Sequence, residues 1–182
     1  MLLAPDADAA MQQVPARNSA SAMVPIAWSY QVVAVPGDMI PCVQPDGSPV
    51  VDETGQPTFI PVNWAFTGQL SHVGQLDPEL STAAFSTCVG GMDPARGPIL
   101  SGDAIVHLAG PQGDAVDLSG TLTLVLAAGY AEATWTITGG SGRFADAAGY
   151  IETLEYPSAD GAGSTGKGSG MVTRPQPVVG GR

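Results

Sequence analysis

Thr134-Trp-Thr-Ile-Thr-Gly-Gly-Ser-Gly-Arg-Phe-Ala-Asp-Ala-Ala-Gly-Tyr-Ile-Glu152 is the stretch on which the reading of the fold turns. Threonine alternates with large apolar residues over 134–138, a glycine-dense turn follows, and a second alternating run begins at Tyr150. A period of two places successive side chains on opposite faces of a strand, one dry and one wet. The glycines between the runs permit a positive φ that other residues resist. Two strands joined in this way form one corner of an antiparallel β structure.

The same pattern extends in both directions along the chain. Ile26, Trp28, Tyr30 and Val32 share a face opposite Ser29 and Gln31, until Pro36-Gly37 ends the run. Residues 41–58 carry Pro41, Pro45, Pro49 and Pro57, with turns at Asp46-Gly47 and Thr54-Gly55, and read as an excursion loop or a small hairpin. The acidic residues Asp46, Asp52 and Glu53 lack the spacing of a calcium loop and read as a solvated surface. The spacing predicts the longest clean strand over 62–74, with Trp64, Phe66, Leu70 and His72 on one face and a bend at Gly68. Further strands are predicted over 80–89, 104–108, 116–127, 130–138, 150–156 and 171–173. Residues 90–102 read as a loop, and 158–169 as a flexible stretch or turn. Residues 1–24 read as a flexible arm, 25–173 as the β domain and 174–182 as a proline-rich tail. No sustained helical period interrupts this order. About eight strands in meander order suit an all-β antiparallel barrel, because closure removes exposed edges; a two-sheet sandwich has the same strand spacing.

Composition sets outer limits. A chain of 182 residues fits one domain, and 44% apolar residues is too many for a disordered chain. With 24 glycines and 16 prolines it suits short strands and tight turns. Six basic residues against 17 acidic ones give a net charge of −11, which repels nucleic acid and anionic lipid and favours solubility. No run of about 18 apolar residues offers a membrane span. No Lys or Arg precedes Arg17, and Asp6 and Asp8 interrupt the first apolar run, so no signal peptide is read there. The scarcity of lysine nonetheless fits an exported domain, secreted or periplasmic. Cys42 and Cys88 either close a long loop as a disulfide or stand as two buried thiols, a choice that geometry decides.

The segment from Thr136 to Tyr150 resembles the corner of the allene oxide cyclase and dirigent-type barrels, where a strand ends in Thr-Gly-Gly-x-Gly-x-Phe and an Ala-x-Gly step follows. Gly68-Gln-Leu-Ser-His-Val-Gly74 looks like a strand of small bacterial relatives of that barrel, and Gly166-Lys-Gly-Ser-Gly-Met-Val-Thr173 is similar to their last strand. The resemblance implies a single eight-stranded antiparallel barrel with an apolar lumen. It also implies a homo-oligomer, since plant members of the superfamily commonly associate. The corner motif speaks for fold rather than reaction.

Candidate chemistry follows from which side chains share the dry face. Trp28, Tyr30, Trp64, Phe66, Leu70 and Leu124 are expected to wall a lumen that binds a mostly apolar small molecule. His72, on the Trp64 face, is expected to read the ligand or to transfer a proton; the plainer alternative is a histidine bonded to backbone. Glu152 is an acid or base if it faces inward, and a surface carboxylate if it faces outward. Together His72 and Glu152 are the candidate catalytic pair of a cofactor-independent cyclase or isomerase, the alternative to simple binding. A structural, self-associating barrel with a filled lumen is the third reading. Arg143 is expected to pair with Asp146 and pin the corner. No cofactor or metal is expected. The string Gly161-Ala-Gly-Ser-Thr-Gly166-Lys167 mimics a phosphate loop, but Gly168 stands where a Ser or Thr is needed and no helix can follow. No G-x-S-x-G elbow is present.

Overall fold

The computed structural model describes residues 22–159 and 162–176. The expected arm falls outside them except for its last three residues, and so does the tail beyond Gln176. The strands are β1 (Met23–Ala34), β2 (Met39–Pro41), β3 (Phe59–Pro61), β4 (Asn63–Leu70), β5 (Gly74–Gln75) and β6 (Thr82–Phe85). They continue with β7 (Val89–Asp93), β8 (Gly97–Ala109), β9 (Ala115–Val125), β10 (Tyr130–Ser141), β11 (Gly149–Pro157) and β12 (Gly163–Thr173). A 3-10 turn, Gly142–Phe144, follows β10.

Strands β1, β12, β11, β10, β9, β8, β6 and β4 pair in that order, and β4 returns to β1, so eight antiparallel strands close into a barrel. Closure, expected from the meander order over the competing sandwich, is seen in the β1–β4 register from Trp28↔Leu70 to Ala34↔Trp64. Gly68 makes this seam. It pairs with Tyr30 at φ 131°, and a Cβ there would lie 2.1 Å from the Ser29 carbonyl oxygen. Backbone cannot yield as a side chain would, so the position admits only glycine.

Several boundaries differ from the sequence expectations. Strand β4 stops at Leu70, and residues 71–73 form a turn rather than strand. Of 80–89 only Thr82–Phe85 is extended alongside β4 and β8. Residues 90–102 are no loop: β7 folds back on β8 as a hairpin turning at Gly97. From Gly163 the expected turn is strand β12, paired along its length with β1 and β11. Both underestimates come from glycine-rich segments. Glycine has low strand propensity, but tertiary pairing overrides it where a neighbour needs the space.

The glycine corner is pinned, though not by the expected pair. Arg143 donates from its backbone N to Asp114 Oδ1 (2.9 Å) and from Nε to Asp114 Oδ2 (2.8 Å), and its Nη2 reaches the His72 carbonyl (2.6 Å). Gly142, at φ 59°, turns the chain tightly enough that a Cβ there would lie 2.4 Å from Asp114 Oδ1. That geometry brings Arg143 to Asp114 instead of Asp146. The hydrogen bond from Arg143 holds the buried Asp114 carboxyl below its ordinary range.

Two outcomes test these contacts. Gly68→Ala is expected to destabilise the barrel by about 2–3 kcal/mol in urea denaturation, and an unchanged midpoint would refute the seam. A depressed carboxylate contributes stability that is full above its unfolded value, near 3.8 for Asp114, and is lost as pH falls through the lower folded value. Arg143→Met is therefore expected to lower Tm at pH 7 and to flatten the fall of Tm below about pH 4. Parallel wild-type and variant acid limbs would contradict it.

Candidate functional site

Alternation carries one face of every barrel strand inward, and burial divides that interior into two ends and a middle. At one end Ile26, Leu70, Leu108, Val116, Ile151 and Val172 are 0–1% exposed, with Phe144 of the 3-10 turn packed among them. This end is closed. In the middle sit the rings of Trp28, Tyr30 and Phe66. Trp28 stacks on Tyr30 with centroids 4.0 Å apart, and Phe66 lies 5.2 Å from Trp28 and 5.6 Å from Tyr30. Eight-stranded barrels are just wide enough for side chains to fill. The remaining central cavity is about 60 Å³, bounded by these rings with Trp64, Trp135 and Glu155. That is room for ordered water, far below a drug-sized site.

The rings fit because the opposite wall is bare. The inward positions of β12 are Ser164, Gly166, Gly168 and Gly170 before Val172. A Cβ at Gly166 would lie 2.2 Å from the Tyr30 ring. Gly120 makes similar room for Trp135 and Gly102 for Phe85. The string that mimics a phosphate loop is thus barrel wall from Gly163 onward, while Gly161 lies outside the described residues.

The open space lies at the other end. There Trp64, Phe85, Leu100, Leu122 and Leu124 are only half buried and line a chamber of about 250 Å³. Trp64, Phe85, Leu122 and Glu155 border both this chamber and the central cavity, so the two are neighbours. Phe59, Ile60 and Pro61 of β3 complete its rim. The excursion over 41–58 is in part a hairpin flank: β2 pairs β3, and Asp46 and Asp52 cap its turns through Ser48 and Thr54. A disulfide joins Cys42 to Cys88, and Val43 N donates to the Cys88 carbonyl (3.0 Å). Both anchor the hairpin to the barrel wall. Trp64 Nε1 donates to the Pro61 carbonyl (3.0 Å), which fixes its indole at the rim.

Among the described residues, one ionisable side chain faces this apolar space. Glu155 Oε2 accepts from Tyr30 Oη (2.8 Å), and Oε1 accepts from Ser164 Oγ (2.6 Å). Burial first, and then the Glu155 charge, push the Tyr30 hydroxyl far above the ordinary tyrosine range, so it stays a neutral donor. Trp135 Nε1 is satisfied by Thr153 Oγ1 (3.0 Å). Trp28 Nε1 is buried with no hydrogen-bond partner among the described residues, and Trp28 borders the central cavity. An unpaired buried donor costs about 1–3 kcal/mol, which an acceptor in the cavity would offset.

The sequence-derived candidates therefore separate. Trp28, Tyr30 and Phe66 fill the middle, Trp64 spans middle and mouth, and Leu124 lines the mouth. Leu70 belongs to the closed end, 1% exposed. His72 is not on the lumen face. The strand ends two residues before it, and His72 stands exposed in the turn at φ 69°, its Nε2 2.9 Å from the Pro25 carbonyl. Glu152 is exposed on the outer wall, since Ile151 and Thr153 take the inward positions. The two candidate proton carriers of a cyclase thus lie outside the barrel, each on a separate outer groove and apart from the central cavity and the mouth chamber. His107, outward between Val106 and Leu108, lies 2.6 Å from Asp117 Oδ1. Glu155, Ser164, Phe85 and Leu122 were not singled out from the sequence. For Glu155 the signal was present: inward Ile151 and Thr153, stepped once more by two, reach it.

No protein-family model matches the chain, and no curated protein matches it. Among solved structures, a pterocarpan synthase dirigent protein matches with 15% identity over 83% of each chain and a TM-score of 0.40. The closed eight-stranded barrel is the form that the resemblance to allene oxide cyclase and dirigent-type barrels implied.

The Tyr30–Glu155 bond predicts a spectroscopic outcome. In alkaline titration followed at the tyrosinate absorbance, wild type is expected to hold back one of its four tyrosines until the barrel unfolds. Tyr30→Phe removes that last step. A variant whose titration curve keeps it would show that Tyr30 is not the shielded hydroxyl.

Proposed function

We propose that this barrel binds a small, mostly apolar molecule at its mouth rather than deep in its lumen. The observation that carries the reading is the chamber of about 250 Å³ walled by Trp64, Phe85, Leu100, Leu122 and Leu124 and roofed by the β3 residues. Small-molecule sites combine such apolar walls with a few placed polar groups, here Glu155 and Ser164. Because the disulfide and the Trp64–Pro61 bond hold the rim, little ordering is needed when a ligand enters, and less affinity is lost to it. Burying an eight-carbon chain contributes about 0.8 kcal/mol per CH₂, roughly 6 kcal/mol before association costs, so a Kd no tighter than about 0.02 mM is expected.

A second reading has its own support. The middle of the barrel is packed to about 60 Å³ of free volume, which suits a rigid structural barrel with a filled lumen.

Titration with neutral N-phenyl-1-naphthylamine separates the two. Saturable one-to-one fluorescence enhancement is expected from the wild type, with loss of signal in Leu124→Trp, which fills the chamber while the fold persists by circular dichroism. No saturable binding, or binding unaffected by Leu124→Trp, would leave the structural barrel standing and remove the mouth site.

A further inference from the structure

We propose that the mouth chamber selects an apolar molecule carrying a protonated amine, and that Glu155 is the residue that reads its charge. The inference rests on the binding reading above and specifies its ligand class. Glu155 is half buried and borders both the chamber and the central cavity. Its partners are two neutral hydroxyls, Tyr30 and Ser164, each on a separate oxygen. No Arg, Lys or His forms an ion pair with it among the described residues, whereas Asp93, Asp114 and Glu132 each pair with an arginine.

Hydroxyl bonds orient a carboxylate but leave its charge uncompensated. A carboxylate has room for about four acceptor contacts, and two of these are used. In a chamber with apolar walls that charge acts over a low-dielectric path, so an ammonium is attracted more strongly there than at the solvated surface. The walls favour the same ligand. Trp64 and Phe85 lie 6.4 Å apart at 66°, presenting ring surface to the chamber, and aromatic faces attract a cation. A carboxylate ligand would meet Glu155 with like charge, and an alcohol would gain hydrogen bonding without charge pairing. The order of preference follows as amine, alcohol, acid.

The experiment is competition against bound N-phenyl-1-naphthylamine at pH 7 by three eight-carbon ligands: octylamine, 1-octanol and octanoate. Octylamine is expected to displace the probe at a concentration at least about tenfold below that of 1-octanol, with octanoate weakest, a charge-assisted bond being roughly twice a neutral one. In Glu155→Gln the amine and the alcohol are expected to fall within about twofold of each other. Glu152→Gln removes the same charge from the outer wall and is expected to keep the preference, which separates the site from the overall charge of −11. A second measurement needs no variant: in about 0.5 M NaCl attraction to the acidic surface is screened, while the chamber preference persists. Equal displacement by octylamine and 1-octanol, a preference lost in salt, or one retained in Glu155→Gln would overturn the amine assignment and leave mouth binding intact. Failure of the neutral probe itself to bind would remove both.

Discussion

Where β1 meets β4, the sheet loses its two open edges, and the rest of the molecule answers to that contact. The meeting depends on Gly68, whose missing side chain lets the Ser29–Tyr30 backbone come within a distance no Cβ would tolerate. Once the ribbon is closed, every inward side chain points at the same narrow axis. Eight strands give an interior about one layer of side chains wide, so bulky residues on one wall need small ones on the opposite wall. Trp28, Tyr30, Phe66 and Trp135 supply the bulk, and the glycines of β12 with Gly120 supply the room. The same packing displaces free space from the middle to the mouth.

The mouth is where polar chemistry enters an apolar interior. Apart from Trp28 Nε1, buried polar side chains elsewhere among the described residues are paired within the wall: Trp135 to Thr153, and Ser81 with the Ala109 backbone in both directions. Glu155 differs because its partners leave a formal charge facing an apolar chamber. The hairpin β2–β3 is tied to the wall beside the chamber by the Cys42–Cys88 bridge, which joins positions 46 residues apart in sequence, and by the Val43–Cys88 and Trp64–Pro61 hydrogen bonds. Closure, filling and bridging together shape the opening.

Much of this was legible before any coordinates. Ile26, Trp28, Tyr30 and Val32 alternate with polar residues and do face inward. Trp64 and Phe66 follow the same rule on β4. The rule failed at its ends. His72 carries the correct parity for the lumen, but parity has meaning only while the chain stays extended, and the turn at 71–73 cancels it. Segments 90–102 and 163–169 look irregular in sequence because glycine offers no apolar pattern to detect. In both, the neighbour across the sheet made them strands. A glutamate between Leu154 and Tyr156 reads as a surface residue, although the parity of Glu155 with Ile151 and Thr153 is inward.

By itself the sequence determined local periodicity: which residues alternate, where the chain turns, and hence an all-β fold with a corner at Gly139–Gly142. Period and turn chemistry are properties of neighbouring residues, and these are what a sequence records. Tertiary structure alone decided that the sheet closes, that aromatic rings leave only about 60 Å³ of its middle free, and that Glu155, Tyr30 and Ser164 converge at the mouth. Those outcomes depend on distances between segments as much as 134 positions apart, from Tyr30 to Ser164. Such distances are fixed only when strands choose their partners and their register.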